Sequence, residues 1–570
     1  MSDLAFDAAQ RIKDAFRDYD STFDALTRRA RQNFERRDLA AQRRCAAERI
    51  DLYESYLQTA RAEVGGLLGE RVHDRSLWRE IRQRYAAAIA ADLDHELYKT
   101  FYNSLIRRCF QIEGVWPDIE FVALDLEPTD AITHAVTRHS YANSNDLVRL
   151  FDRLLDEYRF DVAYADRSGD AARLAAALQA RVEDWGDLGV LGVEMLETVF
   201  YRDRRAYLVG RAIGEGRMSP LVVVLMNEDD GIRVDALISS APDLAQVFGA
   251  SRSFFLADLP TVGDAVVFLR TLLPRKPVDE LYALLGRLKQ AKTERYRRFF
   301  HHFERRPEEL LTQAEGERGM VMAVFTLPSW PLVFKLVRDR FAFPKNVARE
   351  EVYEKYKFVY NHDRNGRLIE AQEFRQLRFP RNRFAPGLLE ELYDSCRSSI
   401  REEGDDLIIT HCYIERRLRP LNLFLKEAPP EQAIRAIVDY GQAIKDLARS
   451  NIFPGDLLLK NFGVTRNLRC VFYDYDELAL VSDCRFRTLP RARDDDEEMH
   501  AGAWYHVNEN DVFPEQFPEF LGLTPALRQA LMGTHRDIFG VRFWLDQQAR
   551  IRRGEDYDVI PYPDAVRLPR

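Results

Sequence analysis

Apolar residues recur at helical spacing through roughly the first third of the chain. The stretch "LFDRLLDEYRF" (Leu150–Phe160) is representative, and residues 1 to about 185 read as helices. The rhythm then changes. "AYLVGRAI" (Ala206–Ile213), "PLVVVLMN" (Pro220–Asn227) and "IRVDALIS" (Ile232–Ser239) are apolar or alternating runs, and "NEDDG" between the last two is a turn signal. They predict a small antiparallel sheet. Helices are expected again from about Leu281. "ERYRRFFHHFERRPEELL" (Glu294–Leu311) is charged and helical until Pro307 interrupts it. A domain boundary is expected there, dividing the chain into 1–310 and 311–570.

The second part has another character. "GMVMAVFTL" (Gly319–Leu327) and "PLVFKLV" (Pro331–Val337) are two strands joined by a short Pro-containing turn. "AREEVYEKYKFVYNH" (Ala348–His362) is helical, and "DLIITHCYIERRL" (Asp406–Leu418) is a strand or hairpin. "PEQAIRAIVDYGQAIKDLARS" (Pro430–Ser450) is a helix, with Pro430 near its start and Ile434, Ile437, Ile444 and Leu447 on one face. The fold class is α+β: a mostly helical part with a small antiparallel sheet, then a second domain.

Composition narrows the function. Hydrophobic residues at 46% and charged residues at 31% describe a globular, soluble chain. A net charge of -9 argues against nucleic acid as the main partner, because phosphate backbones require a basic face. Basic runs such as "RRARQNFERR" (Arg28–Arg37) are interleaved with polar and acidic residues, as on solvated helix faces. No run approaches the ~18 apolar residues that a membrane span needs, and the N-terminus lacks the pattern of a signal peptide. The six cysteines, Cys45, Cys109, Cys396, Cys412, Cys470 and Cys484, are scattered without CxxC spacing. They point to a reducing cytoplasm rather than to disulfides or zinc. "HH" at His301–His302 reads as helix surface, and the acidic "DDDEE" (Asp494–Glu498) as a solvated loop in preference to a docking loop.

The candidate chemistry lies in the order of parts in the second domain. A glycine-containing loop, "AEGERGM" (Ala314, Glu315, Gly316, Glu317, Arg318, Gly319, Met320), precedes a strand that carries Lys335. After the long helix comes "NIFPGDLLLKNFGVTR", in which Asp456 and Asn461 have D-x-x-x-x-N spacing, and then "VFYDYDE" with Asp474 and Asp476. Phosphoryl transfer from ATP needs these parts. Glycine backbone covers the phosphates, a lysine neutralises them, one Asp orients the attacking hydroxyl, and an Asn and a second Asp hold Mg²⁺. A bilobal, protein kinase-like domain follows from that order. Three departures stand out: no strand is evident before the loop, Gly455 rather than Arg precedes Asp456, and no A-P-E follows Asp474. Without that arginine, a phosphorylated activation loop has no local receiver. Glu350, Glu351 and Glu354 are the candidate carboxylate partners of Lys335.

Longer motifs extend the comparison. "RGMVMAVFTLP", "VFKLVRDRFA", "HDRNGRL", "YIERRLRPLN", "NIFPGDLLLKNFGVTR" and "VFYDYDE", with "FYNSL" (Phe101–Leu105) and "AKTERYR" (Ala291–Arg297), resemble the bacterial isocitrate dehydrogenase kinase/phosphatase family over most of the chain. The resemblance implies a regulatory domain and a kinase-like catalytic domain in a cytoplasmic enzyme. That enzyme phosphorylates a serine of NADP-dependent isocitrate dehydrogenase, removes the same phosphate and hydrolyses ATP. It thereby sets flux between the tricarboxylic acid cycle and the glyoxylate bypass. ATP, Mg²⁺ (or Mn²⁺) and AMP as an effector are implied with it. So are residues 314–320 and Lys335 as the ATP site, Asp456 as catalytic base, and Asn461, Asp474 and Asp476 as metal ligands. The family's phosphatase-linked acid falls at Glu370, where other members carry Asp; the competing reading of Glu370 is an exposed helix carboxylate. Two rival functions remain at this level, a nucleotide-binding pseudokinase and a small-molecule phosphotransferase. The oligomeric state, a homodimer included, stays open.

Overall fold

The structure, a computed structural model, describes residues 3–124, 136–185, 189–249, 255–341, 348–362, 366–489, 507–508, 510–555, 558 and 560–569. The acidic run Asp494–Glu498 lies outside them. Two compact units emerge: Met1–Gly249 and Ser253–Arg306 together with Ile560–Arg570, and Pro307–Val559.

The first unit opens with helices α1 (Leu4–Glu35), α2 (Leu39–Leu68), α3 (Arg75–Ile89) and α4 (His95–Cys109). Aspartates start three of them. Asp3, Asp38 and Asp74 sit at the N-caps and accept from the free N–H groups of the first turn. Along α1 the buried positions Ile12, Phe16, Tyr19, Phe23, Leu26, Ala30 and Phe34 form one stripe. Strand β1 (Arg138–Ala142), helices α5 (Leu147–Glu157) and α6 (Arg167–Arg181), and strands β2 (Gly192–Leu196), β3 (Phe200–Arg202), β4 (Arg205–Gly214), β5 (Arg217–Glu228) and β6 (Gly231–Ile238) follow. The strands form an antiparallel sheet in the order β1-β2-β4-β5-β6, with β3 on β4. Both faces are covered. Val222 and Val224 join the core that contains α1 and α4, whereas Leu221, Val223 and Leu225 join the core with α5 and α6. Burial on both sides is why β5 reads as a continuous apolar run rather than an alternating one.

Two sequence expectations need correction here. The helical reading of residues 1–185 missed β1, an edge strand whose side chains are mostly outside the core, with only Tyr141 buried. Helices also resume earlier than Leu281, as α7 (Ala241–Val247), α8 (Val262–Leu272) and α9 (Val278–Leu284), before α10 (Leu288–Glu304). Helix α8 is buried around most of its circumference, so it lacks the polar face that would mark a helix in the sequence. The helices that carry "FYNSL" and "AKTERYR", α4 and α10, are joined by buried polar contacts. Arg297 pairs with Glu96 at 2.8 Å and Glu294 at 3.0 Å, and the Thr100 hydroxyl donates to Gln290 at 2.6 Å. The C-terminal segment packs on β6 of the same unit, where Arg567 pairs with Asp235 at 2.8 Å.

The second unit holds β7 (Thr312–Gln313), β8 (Met322–Thr326), β9 (Leu332–Val337), α11 (Arg349–His362), β10 (Gln372–Pro380), α12 (Pro386–Ser395), β11 (Ile400–Glu403) and β12 (Asp406–Arg416). Its antiparallel sheet runs β10-β12-β9-β8-β7, with β11 on β12. Strand β7 is the element that seemed missing before the glycine loop; two residues are too few to carry a periodic signal. After β13 (Arg419–Pro420), α13 (Leu421–Glu427) and the long α14 (Pro430–Arg449) come β14 (Ile452–Phe453), β15 (Phe462–Val464) and β16 (Cys470–Phe472). Ile437, Ile444 and Leu447 of α14 are buried, but Ile434 is exposed. Buried Arg367 ties the preceding loop to α14 through Asp439 at 2.6 Å and Asp446 at 2.8 Å. Among the described residues, no helix is long and apolar enough to cross a membrane.

Candidate active site

Alternation along Asp456–Asn461 aims its side chains. Leu457 and Leu459 are buried in the core against α14, and the Tyr440 hydroxyl donates to the Leu457 carbonyl at 2.5 Å. Asp456, Leu458 and Lys460 are left on the opposite, half-buried side. A short 3₁₀ turn, Leu459–Asn461, brings Asn461 back so that its Nδ2 donates to Asp456 Oδ1. The hairpin β15–β16 pairs Phe462 with Phe472 and Val464 with Cys470. It returns the chain to its starting point, where the Tyr473 N–H donates to the Asn461 carbonyl at 3.1 Å. Tyr475 is fully buried, and its hydroxyl donates to the Ile369 carbonyl at 2.6 Å. That anchor fixes the loop bearing Asp474 and Asp476.

Lys335 lies on β9, 6% exposed. Its Nζ pairs with Glu415 Oε2 at 2.7 Å and donates to the Tyr473 carbonyl at 2.8 Å. Lys335 thus touches the backbone of the residue next to Asp474. Its carboxylate partner is Glu415, not Glu350, Glu351 or Glu354. Those three are exposed on α11, whose inward face is given to Val352, Tyr356 and Val359. In the β9–β12 register Lys335 faces Tyr413 and Val333 faces Glu415, so Glu415 is a diagonal neighbour on the same face. The sequence signal was an acid inside an apolar strand.

The loop Ala314–Met320 begins at the edge of the sheet, where the Ala314 N–H donates to the Val324 carbonyl at 2.9 Å. Glu315, Glu317, Arg318 and Met320 are exposed, and Gly316 adopts φ +124°, a conformation open to glycine. The loop is tied at two points: Glu317 to Lys460 of the catalytic segment at 3.0 Å, and Glu315 to Arg419. Neither Lys460 nor Arg419 was singled out from sequence.

Glu370 is not an exposed helix carboxylate. It is 9% exposed and extended, just ahead of β10, with Gln372 Nε2 donating to its Oε1 at 2.9 Å. The segment before it pairs with β16 in parallel, Leu368 with Phe472. Glu370 and Asp474 each come two residues after the bridged pair, outside the strands.

The comparisons with known proteins bear on the whole chain. Residues 309–564 match the family described as the isocitrate dehydrogenase kinase/phosphatase (AceK) kinase domain, and residues 9–307 match its regulatory domain. A protein of Xanthomonas axonopodis pv. citri (strain 306) named isocitrate dehydrogenase kinase/phosphatase is 54% identical over 561 residues, 98% of this chain and 97% of its own length. One of the same name from Anaeromyxobacter sp. (strain Fw109-5) is 41% identical over 568 residues, 100% of this chain and 98% of its own. The chain belongs to the isocitrate dehydrogenase kinase/phosphatase family.

A kinase/phosphatase family implies ATP and a divalent metal, and the donor set fits a hard cation. Asp474, Asp476 and the amide oxygen of Asn461, whose nitrogen is turned to Asp456, offer only oxygen. Burial, then the adjacent Asp476 carboxylate, holds the Asp474 carboxyl well above the ordinary carboxylate range, with Lys335 pulling the other way. Two carboxylates crowded in this way suit a cation between them.

Gly455 has its own reason for being glycine in this family member. Its φ is +83°, and a Cβ there would stand 2.6 Å from Glu477 Cβ and 2.8 Å from the Glu477 carbonyl oxygen. The catalytic segment and the acidic loop touch at this point, which leaves no room for arginine. Gly455→Ala is therefore expected to lower stability by about 2 kcal/mol or more, the left-handed penalty plus a backbone clash. Urea denaturation of the full chain measures it.

Proposed function

We propose that this protein transfers the γ-phosphoryl group of ATP to isocitrate dehydrogenase and also removes that phosphate. The finer reading follows the family: the target is a serine, and the switch sets flux between the tricarboxylic acid cycle and the glyoxylate bypass. The observation that carries the catalytic part is the convergence of Lys335–Glu415, Asp456–Asn461 and the Asp474–Asp476 loop through contacts of about hydrogen-bond length. A pseudokinase has no use for all of these, which favours an enzyme. A small-molecule phosphotransferase is disfavoured by the match of both domains to a family named for a protein substrate.

In this reading Pro307–Val559 is a bilobal, protein kinase-like body: the sheet β10-β12-β9-β8-β7 is one lobe, and α14 with its following hairpin lies in the other. We assign the regulatory role to residues 1–310 and the catalytic role to 311–570, with Ile560–Arg570 packing in the first unit. The loop 314–320 covers the nucleotide phosphates, and Lys335, oriented by Glu415, neutralises them. Asp456 accepts the proton of the acceptor hydroxyl and aims it. Asn461, Asp474 and Asp476 would hold Mg²⁺ or Mn²⁺, which supplies charge neutralisation on the phosphates when bound. Glu370, two residues past the Leu368–Phe472 bridge, is the base for the water that releases phosphate. AMP as an effector rests on the family resemblance alone. A cytoplasmic setting is supported by six cysteines that are all unpaired.

The test is incubation with γ-labelled ATP, with and without isocitrate dehydrogenase. Label is expected in isocitrate dehydrogenase and then as free phosphate; no transfer in either condition would defeat the proposal. Lys335→Met is expected to lower kinase activity and ATP hydrolysis together, each at least tenfold, because both need the phosphates held. Full kinase activity in this variant would make Lys335 an ordinary strand residue.

A further inference from the structure

Beside Asp456 lies a cavity of about 300 Å³. Asp456 and Gln516 contribute to its wall, and the rest of the described lining is apolar, from Leu457 and Leu458 and from Phe517, Phe520 and Leu521 of a later turn. None of residues 314–320 lines it, nor does Lys335, so it is not on the nucleotide-loop side of Asp456. Phe520 is 66% exposed, a large apolar side chain left at the surface beside the catalytic segment.

We infer that this cavity receives an apolar side chain of the substrate protein, from a residue flanking its phosphorylated hydroxyl. The inference rests on the reading of Asp456 as the group that aims that hydroxyl. An acceptor oxygen must come within about 2.6–3.2 Å of the carboxylate to be activated. An extended segment advances ~3.3 Å per residue and projects alternate side chains to opposite sides. In a segment whose hydroxyl rests on Asp456, the residue two positions away therefore faces the same side, ~6.6 Å along, where the apolar wall begins. The cavity is at the small end of ligand pockets, which suits one or two side chains and not a whole cofactor. Among the described residues nothing charged besides Asp456 lines it, so a Lys, Arg or acidic neighbour would be desolvated there at a loss. The pocket thus selects an acceptor with an aliphatic or aromatic neighbour, and it serves both directions of the reaction, since the same segment must return for dephosphorylation.

Phe520 gives the test, because its exposure lets it change without disturbing the core. In the full-length enzyme, Phe520→Ala is expected to lower kcat/KM for isocitrate dehydrogenase by about 10- to 200-fold, the range for apolar side chains in a specificity pocket. Phe520→Leu should recover most of it. Each apolar residue within three positions of the phosphorylated residue of isocitrate dehydrogenase is then replaced by Ala in turn. One of these substrates should show a similar loss with the unaltered enzyme and little further loss with Phe520→Ala. Losses that multiply for every substrate variant overturn the proposal. So does an unchanged kcat/KM, or a rise in KM for ATP as the main effect, which would give the cavity to the nucleotide. Asp456→Asn, assayed alongside, separates the two readings. If Asp456→Asn is inactive while Phe520→Ala is unaffected, the role of Asp456 stands and the pocket falls. If Asp456→Asn stays active, the reading beneath both is wrong.

Discussion

Asp456→Asn is expected to lower phosphorylation of isocitrate dehydrogenase by roughly 10²- to 10⁴-fold, the range of a lost general base. ATP binding should change little. The substitution is nearly isosteric, and the segment is held by groups that it leaves in place: Leu457 and Leu459 in the core, and the Tyr440 hydroxyl on the Leu457 carbonyl. What changes is the second carboxylate oxygen, Oδ2. Asn461 donates there, and an amide at residue 456 can still accept that bond with its oxygen. Its remaining polar atom is then an N–H₂ donor, which cannot take a proton from a hydroxyl. The measurement is single-turnover transfer from labelled ATP, with nucleotide affinity read by equilibrium titration. Transfer at the unaltered rate would remove Asp456 from the chemistry. Loss of nucleotide binding in step with transfer would make it a structural residue of the loop.

The legible parts of this protein were those where one chemical demand selects one residue type in a local pattern. The D-x-x-x-x-N spacing and the return hairpin are local: few residues separate Asn461 from Asp474, and the apolar strand between them has nowhere else to go. Strands β4, β5 and β6 were visible for the same reason. What sequence could not supply was pairing at long range. Glu415 is 80 positions from Lys335, and only the register of β9 on β12 makes them neighbours. The glutamates of α11 looked better because they follow Lys335 in a helix, but helix orientation, not sequence distance, decides which face looks inward. Lys460 was passed over for a different reason. A lysine in a loop is usually solvated, and its ion pair with Glu317 depends on where a loop 143 residues earlier comes to lie. Glu370 was the most misleading: after a helical run its carboxylate looked exposed, while the parallel bridge of Leu368 to Phe472 buries it.

That burial sharpens the expected result at Glu370. Releasing a phosphate needs a water aimed at phosphorus and a base to take its proton. Asp474 and Asp476 share one loop, so a base must come from another segment, and Glu370 lies two residues past the Leu368–Phe472 bridge that joins its segment to β16. Glu370→Gln preserves volume and leaves an oxygen for Gln372 Nε2, which now donates at 2.9 Å. It removes the charge and the capacity to take a proton. Phosphate release from phosphorylated isocitrate dehydrogenase should fall by roughly 10²- to 10⁴-fold, while phosphorylation of the unmodified enzyme stays within a few-fold. Glu370→Asp, the residue that the family resemblance implies at this position, should keep the phosphatase working. The burial adds a control, because a carboxylate placed there for packing would betray itself in stability: unfolding of the Gln variant should stay within about 1 kcal/mol of the parent. Equal loss of both activities would assign Glu370 to the shared scaffold. Unchanged phosphate release would mean that the water is activated from elsewhere, with the carboxylates of the Asp474 loop the nearest remaining groups.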